Sequence, residues 1–299
     1  MKKKNTTAYI AWIAICIIWG TTYLAIRIGV ADLPPMLFAG FRWIAAGLIL
    51  VSIRRLMGNK LPPKNEIKHL AVVGIALLGI ANGLVVVAEQ WIPSGLAALV
   101  ITTLPFWMVG FESLLPKGPN FNRYIFIGLL LGLSGVFMMF GKDLQHWIHG
   151  SNLLGVLALM GAVIAWSLGS IYSKYKKISV HPMMGASIQM LIAGALQILL
   201  GLILGEHNNF HLTQNGFLSI AYLVVFGSIF GYASYIYAIQ HLPLSFVSTY
   251  AYINPIIALI LGWYILSEDL SINILFAAAL IFSGVMMVKK GNYISSSKK

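Results

Sequence analysis

The sequence predicts an all-α, polytopic membrane protein with ten transmembrane helices in two inverted five-helix repeats. Hydrophobic residues make up 59% of the 299 residues and charged residues only 9%, against roughly 45–50% and about 25% in soluble domains. The apolar residues also fall into runs near the ~20 residues that a helix needs to cross the hydrocarbon core. Because so few charges cannot cover a soluble surface, the composition excludes a soluble enzyme.

Ten apolar runs account for most of the chain, and no polar gap between them is long enough for a soluble domain. The predicted helices are 8–29, 35–53, 69–88, 94–115, 124–142, 152–173, 182–204, 215–239, 244–266 and 271–289. The first run follows three lysines, as in a signal peptide, but no small-residue cleavage site follows it. We therefore expect it to be retained as the first helix.

The basic residues predict the orientation of the chain. With the N-terminus inside, seventeen of the 20 Lys and Arg residues fall in inner segments, whereas only Lys142 falls outside. This bias predicts a multi-pass protein of the cell membrane (the bacterial inner or plasma membrane) with both termini in the cytoplasm. Since the basic clusters lie in short loops, the net charge of +12 does not indicate a nucleic-acid partner.

The second half of the sequence repeats the first at a shift of 147 to 150 residues. The matched pairs are Pro35 with Pro182, Trp19 with Trp166, Arg27 with Lys174, Pro93 with Pro243 and Pro105 with Pro255. The two predicted repeats are residues 1–142 and 152–290. Each contains five helices, an odd number, so the two copies have opposite orientations in the membrane. Transporters recurrently use such repeats, with the substrate site between the halves near the bilayer midplane.

Four segments also carry a family resemblance. They are Trp19-Gly20-Thr21-Thr22-Tyr23 in helix 1, Pro35 to Arg42 in helix 2, Pro255 in helix 9 and Leu266-Ser267-Glu268 at its end. In these segments the chain resembles the EamA family of the drug/metabolite transporter superfamily, as two copies of its domain. The resemblance implies a central cavity and export of amino acids or related metabolites. The first copy departs from the pattern, since Pro116-Lys117-Gly118 replaces the acidic end.

Arg42 is the sharpest candidate for substrate binding. It follows Pro35 by seven residues, which places it roughly 10 Å below the outer interface. An intramembrane arginine costs at least ~2.5 kcal/mol unless it faces protein or a wet cavity. Its guanidinium group could bind a carboxylate or phosphate in a bidentate manner, or it could cap the carbonyls of a broken helix. Gln189 takes its place in the second repeat, which suits a substrate with one charged end.

Polar and aromatic residues within the apolar runs complete the predicted site. Amides in the membrane must find partners or water, and aromatic rings can accept an apolar side chain or a cation. Helix–helix hydrogen bonds and simple packing are the structural alternatives for these residues. The residues predicted to bind substrate are Trp19, Arg42, Asn82, Trp107, Trp166, Gln189, Tyr235 and Asn254. Helices 1, 3, 4, 6, 8 and 9 are expected to line the cavity, together with Arg42 of helix 2.

Two prolines and a set of glycines predict local helix geometry. Pro105 and Pro255 are placed in the middle of helices 4 and 9, where each would remove a backbone hydrogen bond and bend its helix. They are predicted as hinges for alternating access, with static packing as the alternative. Gly128, Gly132 and Gly135, with the small pair Ser283-Gly284, predict close helix packing inside the bundle, with a dimer interface as the alternative.

The sequence says little about energy coupling. Proton-driven carriers commonly have a carboxylate within the membrane, and the candidates here are Glu89, near the outer end of helix 3, and Glu112, near the inner end of helix 4. Neither is central. This favours a facilitator or an exporter that uses substrate gradients, with proton antiport through Glu112 as an alternative.

Together these features predict a transporter that works by alternating access, and they favour an exporter of amino acids or related small metabolites. The alternatives are an importer, a multidrug exporter, a membrane enzyme acting on a lipid-linked substrate, or a non-transporting sensor or scaffold. No catalytic residue, cofactor or metal site is expected, because the pairs His207 with His211 and His146 with His149 lack a suitable third ligand. The expected partners are the small-molecule substrate and the lipid bilayer. The oligomeric state stays open.

Overall fold

A computed structural model describes residues 2–91, 97, 100–116, 122–140, 152–176, 178–257 and 272–297, and every regular element in these ranges is a helix. The predicted all-α class is therefore confirmed for this part of the chain. The longer helices are α1 (Lys2–Asp32), α2 (Pro35–Leu56), α3 (Lys64–Ala88), α4 (Leu104–Ser113), α5 (Arg123–Phe140), α6 (Asn152–Tyr175), α7 (Pro182–Ile203), α8 (Gln214–His241) and, near the C-terminus, Ile272–Ser297. Residues 146 and 149 and the motif at 266–268 lie outside the described ranges.

Six of these helices are long and apolar enough to cross a membrane. These spans are Thr6–Asp32, Pro35–Leu56, Lys64–Ala88, Leu153–Tyr175, Pro182–Ile203 and Gln214–His241. Their outward faces expose large apolar side chains, such as Leu199 and Leu202 of α7, which lipid tails can cover. The chain is therefore a multi-pass membrane protein.

Several helices extend beyond the predicted apolar runs. Helix α1 covers Lys2–Asp32 where 8–29 was expected, and α3 begins at Lys64 instead of residue 69. Helix α8 ends at His241, two residues later than expected. The apolar runs mark the part of a helix that suits lipid, whereas backbone hydrogen bonding continues where polar side chains reach water.

Two π-helical segments interrupt the α-helical geometry of α3 and α8. They cover Ile75–Asn82 and Leu223–Tyr232. A π turn holds an extra residue and is uncommon except at functional sites. The sequence pattern did not predict either segment, because an extra residue in one turn leaves the hydropathy unchanged.

Turns made by hydroxyl residues precede the two prolines that were predicted as hinges. Residues 102–103 form a turn before α4, and residues 248–249 form a turn between the short helix α9 (Leu244–Val247) and helical residues 250–257. Thr103 Oγ1 donates to the Val100 carbonyl oxygen (2.7 Å) and Thr249 Oγ1 to that of Phe246 (2.6 Å).

This corrects the expected position of one proline. Pro105 lies in the first turn of α4, where proline leaves no helical hydrogen bond unmade, and so it does not bend a continuous helix. Pro255 lies within helical residues 250–257, after the turn. Both prolines lie close to a break in helix geometry, and their role as hinges stays a prediction.

Glycines bring two helix pairs into backbone contact. Helix α10 (Ile272–Ser297) packs along α5, and α7 packs along α2. A Cβ atom on Gly284 would lie 2.5 Å from the Gly128 carbonyl oxygen, and one on Gly194 would lie 2.8 Å from the Ile44 nitrogen. The predicted close packing of glycines inside the bundle is therefore confirmed.

Candidate functional site

A cavity within the bundle brings together most of the predicted site residues. The volume of this cavity is about 100 Å³. Five of the eight predicted substrate-binding residues line it: Trp19, Arg42, Asn82, Trp166 and Asn254. The remaining lining residues are Thr22, Tyr23, Ile26, Trp43, Ala81, Val85, Ile101, Leu104, Ala162, Val163 and Tyr250.

One wall of the cavity is aromatic. The rings of Trp19 and Trp166, which are equivalent in the two predicted repeats, pack edge to face with centroids 5.4 Å apart. Tyr250 also packs edge to face on Trp19, at 5.0 Å. Trp19 Nε1 donates to the Gly227 carbonyl oxygen (3.1 Å), and Trp166 Nε1 donates to Tyr235 Oη (2.8 Å). Since both indole nitrogens are held, the two rings have fixed orientations.

Arg42 supplies a buried positive charge at the cavity. Only 3% of its surface is exposed. Its Nε donates to Ser228 Oγ (2.9 Å), and its Cζ lies 4.3 Å from the ring centroid of Trp43. Its Nη1, by contrast, is buried without a hydrogen-bond partner among the described residues. The guanidinium group is therefore held in place on one side and still has a donor to offer an anion.

The π-helical segment of α8 fixes both Arg42 and Trp19. It contains Ser228, the acceptor for Arg42, and Gly227, the acceptor for Trp19. None of the α8 residues lines the cavity directly, which differs from the expected set of lining helices. Helix α8 instead supports the residues that do.

The two predicted asparagines are tied to neighbouring helices. Asn82 Oδ1 accepts a hydrogen bond from Trp43 Nε1 (3.0 Å). With its amide oriented so that Nδ2 faces them, Asn254 donates to the carbonyl oxygens of Tyr250 and Cys16, both at 3.0 Å. Each asparagine thus joins helices and also lines the cavity. The two predicted uses, helix–helix hydrogen bonding and cavity lining, are therefore both met.

Three predicted residues lie outside the cavity lining. Gln189 is buried and its Oε1 accepts from Tyr232 Oη (2.7 Å). Trp107 packs on Phe111, with ring centroids 5.7 Å apart. Tyr235 lies behind the tryptophan pair, as the acceptor for Trp166.

Eleven lining residues were not predicted to bind substrate, and two of them, Tyr23 and Trp43, lie close in sequence to residues that were. Tyr23 is one helical turn after Trp19, and Trp43 follows Arg42 directly. Helical spacing from Trp19 could have found Tyr23. Nothing in the sequence predicted Trp43, because adjacent residues usually point to different sides of a helix.

Metal binding has no support within the described ranges, where no group of three or more His, Cys, Asp or Glu side chains could hold an ion.

Comparison with known proteins identifies the family. Residues 6–141 and 153–289 each match the EamA-like transporter family. The chain belongs to the EamA-like transporter family. As a member, it is a transporter, and the cavity is the feature of the structure that fits this activity.

The relatives of this EamA-family chain are similar over nearly its whole length. The uncharacterized inner membrane transporter YedA of Escherichia coli (strain K12) is 37% identical, over 96% of this chain and 92% of its own. The uncharacterized transporter YoaV of Bacillus subtilis (strain 168) is 28% identical, over 92% and 94%. Protein PecM of Dickeya dadantii (strain 3937) is 25% identical, over 100% and 96%.

A solved structure shares the fold. It is described as "Crystal structure of protein" and matches with a TM-score of 0.79 at 20% sequence identity, over 95% of this chain and 97% of the other. At this identity the likeness concerns the fold alone.

Proposed function

We propose that this EamA-family transporter exports amino acids or related small metabolites that bear a carboxylate, by alternating access through the central cavity. The observation that supports this most directly is the buried guanidinium group of Arg42, whose Nη1 has no partner among the described residues. A charge within the membrane is costly, and an intramembrane arginine marks a substrate pathway by default.

The cavity offers a contact for each part of such a solute: its carboxylate, its side chain and its ammonium group. A carboxylate would take the charged hydrogen bond from Arg42, which a guanidinium group forms well. The faces of Trp19 and Trp166 would accept an apolar side chain, or an ammonium group through a cation–π contact. Asn82 and Asn254 add amide groups at the cavity. The site therefore favours an amphipathic solute with one negative end.

The size of the cavity favours small metabolites over multidrug substrates. A cavity of roughly 150 Å³ holds a benzene molecule, whereas the space here is about 100 Å³. A multidrug exporter would need a larger or more open chamber in this state.

The proposed architecture is ten transmembrane helices in two inverted repeats, residues 1–142 and 152–290, with both termini in the cytoplasm. Supporting features recur in both halves: the π-helical segments Ile75–Asn82 and Leu223–Tyr232 lie about 150 residues apart. Trp43 contacts Asn82 in the first half, and Gln189 contacts Tyr232 in the second. In such transporters the halves rock around a fixed site, with the breaks beside Pro105 and Pro255 as the proposed hinges.

Transport by the purified full-length protein in liposomes tests the function. Each amino acid in a panel is compared with the amine that lacks its carboxylate, in counterflow and under an outward gradient. Flux of one or more amino acids above that of the paired amine is expected. Flux of the amines alone, or of neither class, would contradict the proposal. Efflux from cells that overexpress the protein, against cells that lack it, then separates an exporter from an importer.

A further inference from the structure

Glu89 is a buried carboxylate that the proposed site does not use. Only 7% of its surface is exposed. Both of its oxygens are buried and neither has a hydrogen-bond partner among the described residues. Glu112, the other buried carboxylate considered above, differs because its Oε1 accepts from Tyr175 Oη at 2.9 Å. An ionised carboxylate without such partners is strongly disfavoured by burial.

The position of Glu89 separates two openings in the protein. Val85, one turn earlier on α3, lines the central cavity. Gln90, the next residue, lines a second recess together with Asp32 and Glu206. Helix α3 ends at Ala88, and Glu89 and Gln90 lie in the turn that follows, so Glu89 is one turn beyond Val85 and directly before Gln90. Glu89 therefore lies in the thin layer between the cavity and the recess.

Charged and titratable groups face Glu89 from two neighbouring helices. Tyr23 on α1 and Arg42 on α2 line the same cavity as Val85, one turn before Glu89. Arg27, one turn after Tyr23, is exposed, and the positive charges of Arg27 and Arg42 both favour ionised Glu89. On the side of α6, Leu159 packs against Ala88 in an apolar cluster. Burial thus opposes the negative charge of Glu89 while two arginines favour it, so the charge state depends on what else binds nearby.

We infer that Glu89 is a proton-binding residue in the barrier between cavity and recess, and that its protonation is coupled to binding of a solute carboxylate at Arg42. Ionised Glu89 and the solute carboxylate both draw on the positive charge of Arg42. A solute anion on Arg42 weakens the field that keeps Glu89 ionised, so Glu89 takes up a proton. By reciprocity, protonated Glu89 strengthens solute binding. One proton then crosses with one solute anion, in the same direction.

The coupling rests on the proposed function, but protonation of Glu89 can be measured without any substrate. The full-length protein in lipid is titrated by infrared difference spectroscopy, which detects the carbonyl stretch of a protonated carboxylic acid. A band that titrates above the pH at which an exposed glutamate titrates is expected, with loss of that band in Glu89→Gln and retention in the matched variant Glu112→Gln. A titration that Glu89→Gln leaves unchanged, or the absence of such a band, would overturn the proposal.

A second variant tests the link to Arg42. Arg42→Gln removes a positive charge that favours ionised Glu89, so the midpoint of the Glu89 band is expected to move to higher pH. An unchanged midpoint would refute the coupling. If the band behaves as expected but no amino acid in the liposome panel is transported, the proposed function fails while the proton site stands. If amino acids are transported and proton flux does not accompany them, the coupling fails alone.

Discussion

The contacts of Arg42 are compatible with both roles that the sequence presented as alternatives, a structural one and the proposed binding of an anion. Its Nε is fixed by Ser228 and its guanidinium carbon lies over the Trp43 ring, which is a structural use of the residue. Its Nη1 keeps a donor without a partner among the described residues. A guanidinium group held on one side loses little further entropy when an anion binds on the other side. The structural contacts therefore suit the anion binding that we propose for Arg42.

Replacing Arg42 tests this directly. Arg42→Ala is expected to insert and fold but to lose transport of carboxylate-bearing solutes by about tenfold to a hundredfold, because a hydrogen bond to a charged group contributes roughly 1.5–3 kcal/mol. Counterflow in liposomes measures the loss. Arg55→Ala, an exposed position on the same helix, is the matched control and should transport normally. Undiminished flux in Arg42→Ala would refute the anchor role.

The tryptophan pair is expected to set solute preference. Trp19→Ala and Trp166→Ala each remove part of the aromatic wall of the cavity, and so they should change which side chains are transported well. The ratio of fluxes for large and small amino acids measures this change. Trp107→Ala serves as the control, because Trp107 packs on Phe111 outside the cavity lining. If neither cavity variant alters the ratio, Trp19 and Trp166 only pack.

At the scale of single elements, α8 shows how local geometry serves the site. Its π-helical segment supplies the Gly227 oxygen that holds Trp19 and the Ser228 hydroxyl that holds Arg42. The sequence alone suggested that α8 would line the cavity through Tyr235. The structure instead places Tyr235 behind Trp166, so α8 acts by positioning other residues.

Contact between α5 and α10 depends on the absence of side chains at the glycines. A Cβ atom on Gly284 would lie 2.5 Å from the Gly128 oxygen and 2.7 Å from the Gly132 nitrogen. Gly284→Leu is therefore expected to lower stability by about 3 kcal/mol or more, since overpacking already costs roughly 1–3 kcal/mol. Thermal unfolding in detergent measures this. Gly110→Ala is the control, because its added Cβ meets no atom within 4 Å, and an equal loss there would contradict the packing argument.

At the scale of the whole molecule, the proposed pair of repeats surrounds an asymmetric charge. Arg42 on α2 faces the cavity, whereas Gln189, its counterpart on α7, is buried and accepts from Tyr232. A symmetric scaffold suits alternating access, and an asymmetric charge suits a solute with one negative end. Both properties are part of the proposal.

The orientation of the ends tests the proposed inverted repeats. Two five-helix units place both termini on the same side, and the basic loops place that side in the cytoplasm. The chain has one cysteine, Cys16, so a Cys16→Ala background allows single cysteines to be introduced near each end. In intact cells a membrane-impermeant maleimide should label neither end, and after permeabilisation it should label both. Labelling of only one end in intact cells would contradict the architecture.

The sequence by itself determined that the protein is helical, crosses the membrane several times and belongs with transporters, because hydropathy and repeated motifs are properties of the chain that folding does not alter. It also predicted five residues that line the cavity, because a polar side chain in an apolar run needs a hydrogen-bond partner or water that lipid does not supply. Only the tertiary structure placed Trp107, Gln189 and Tyr235 outside the lining and showed that the buried carboxylate of Glu89 has no hydrogen-bond partner among the described residues. Helix rotation, π-helical turns and close glycine contacts decide which side of a helix packs against which neighbour. Hydropathy predicts almost nothing about these three features.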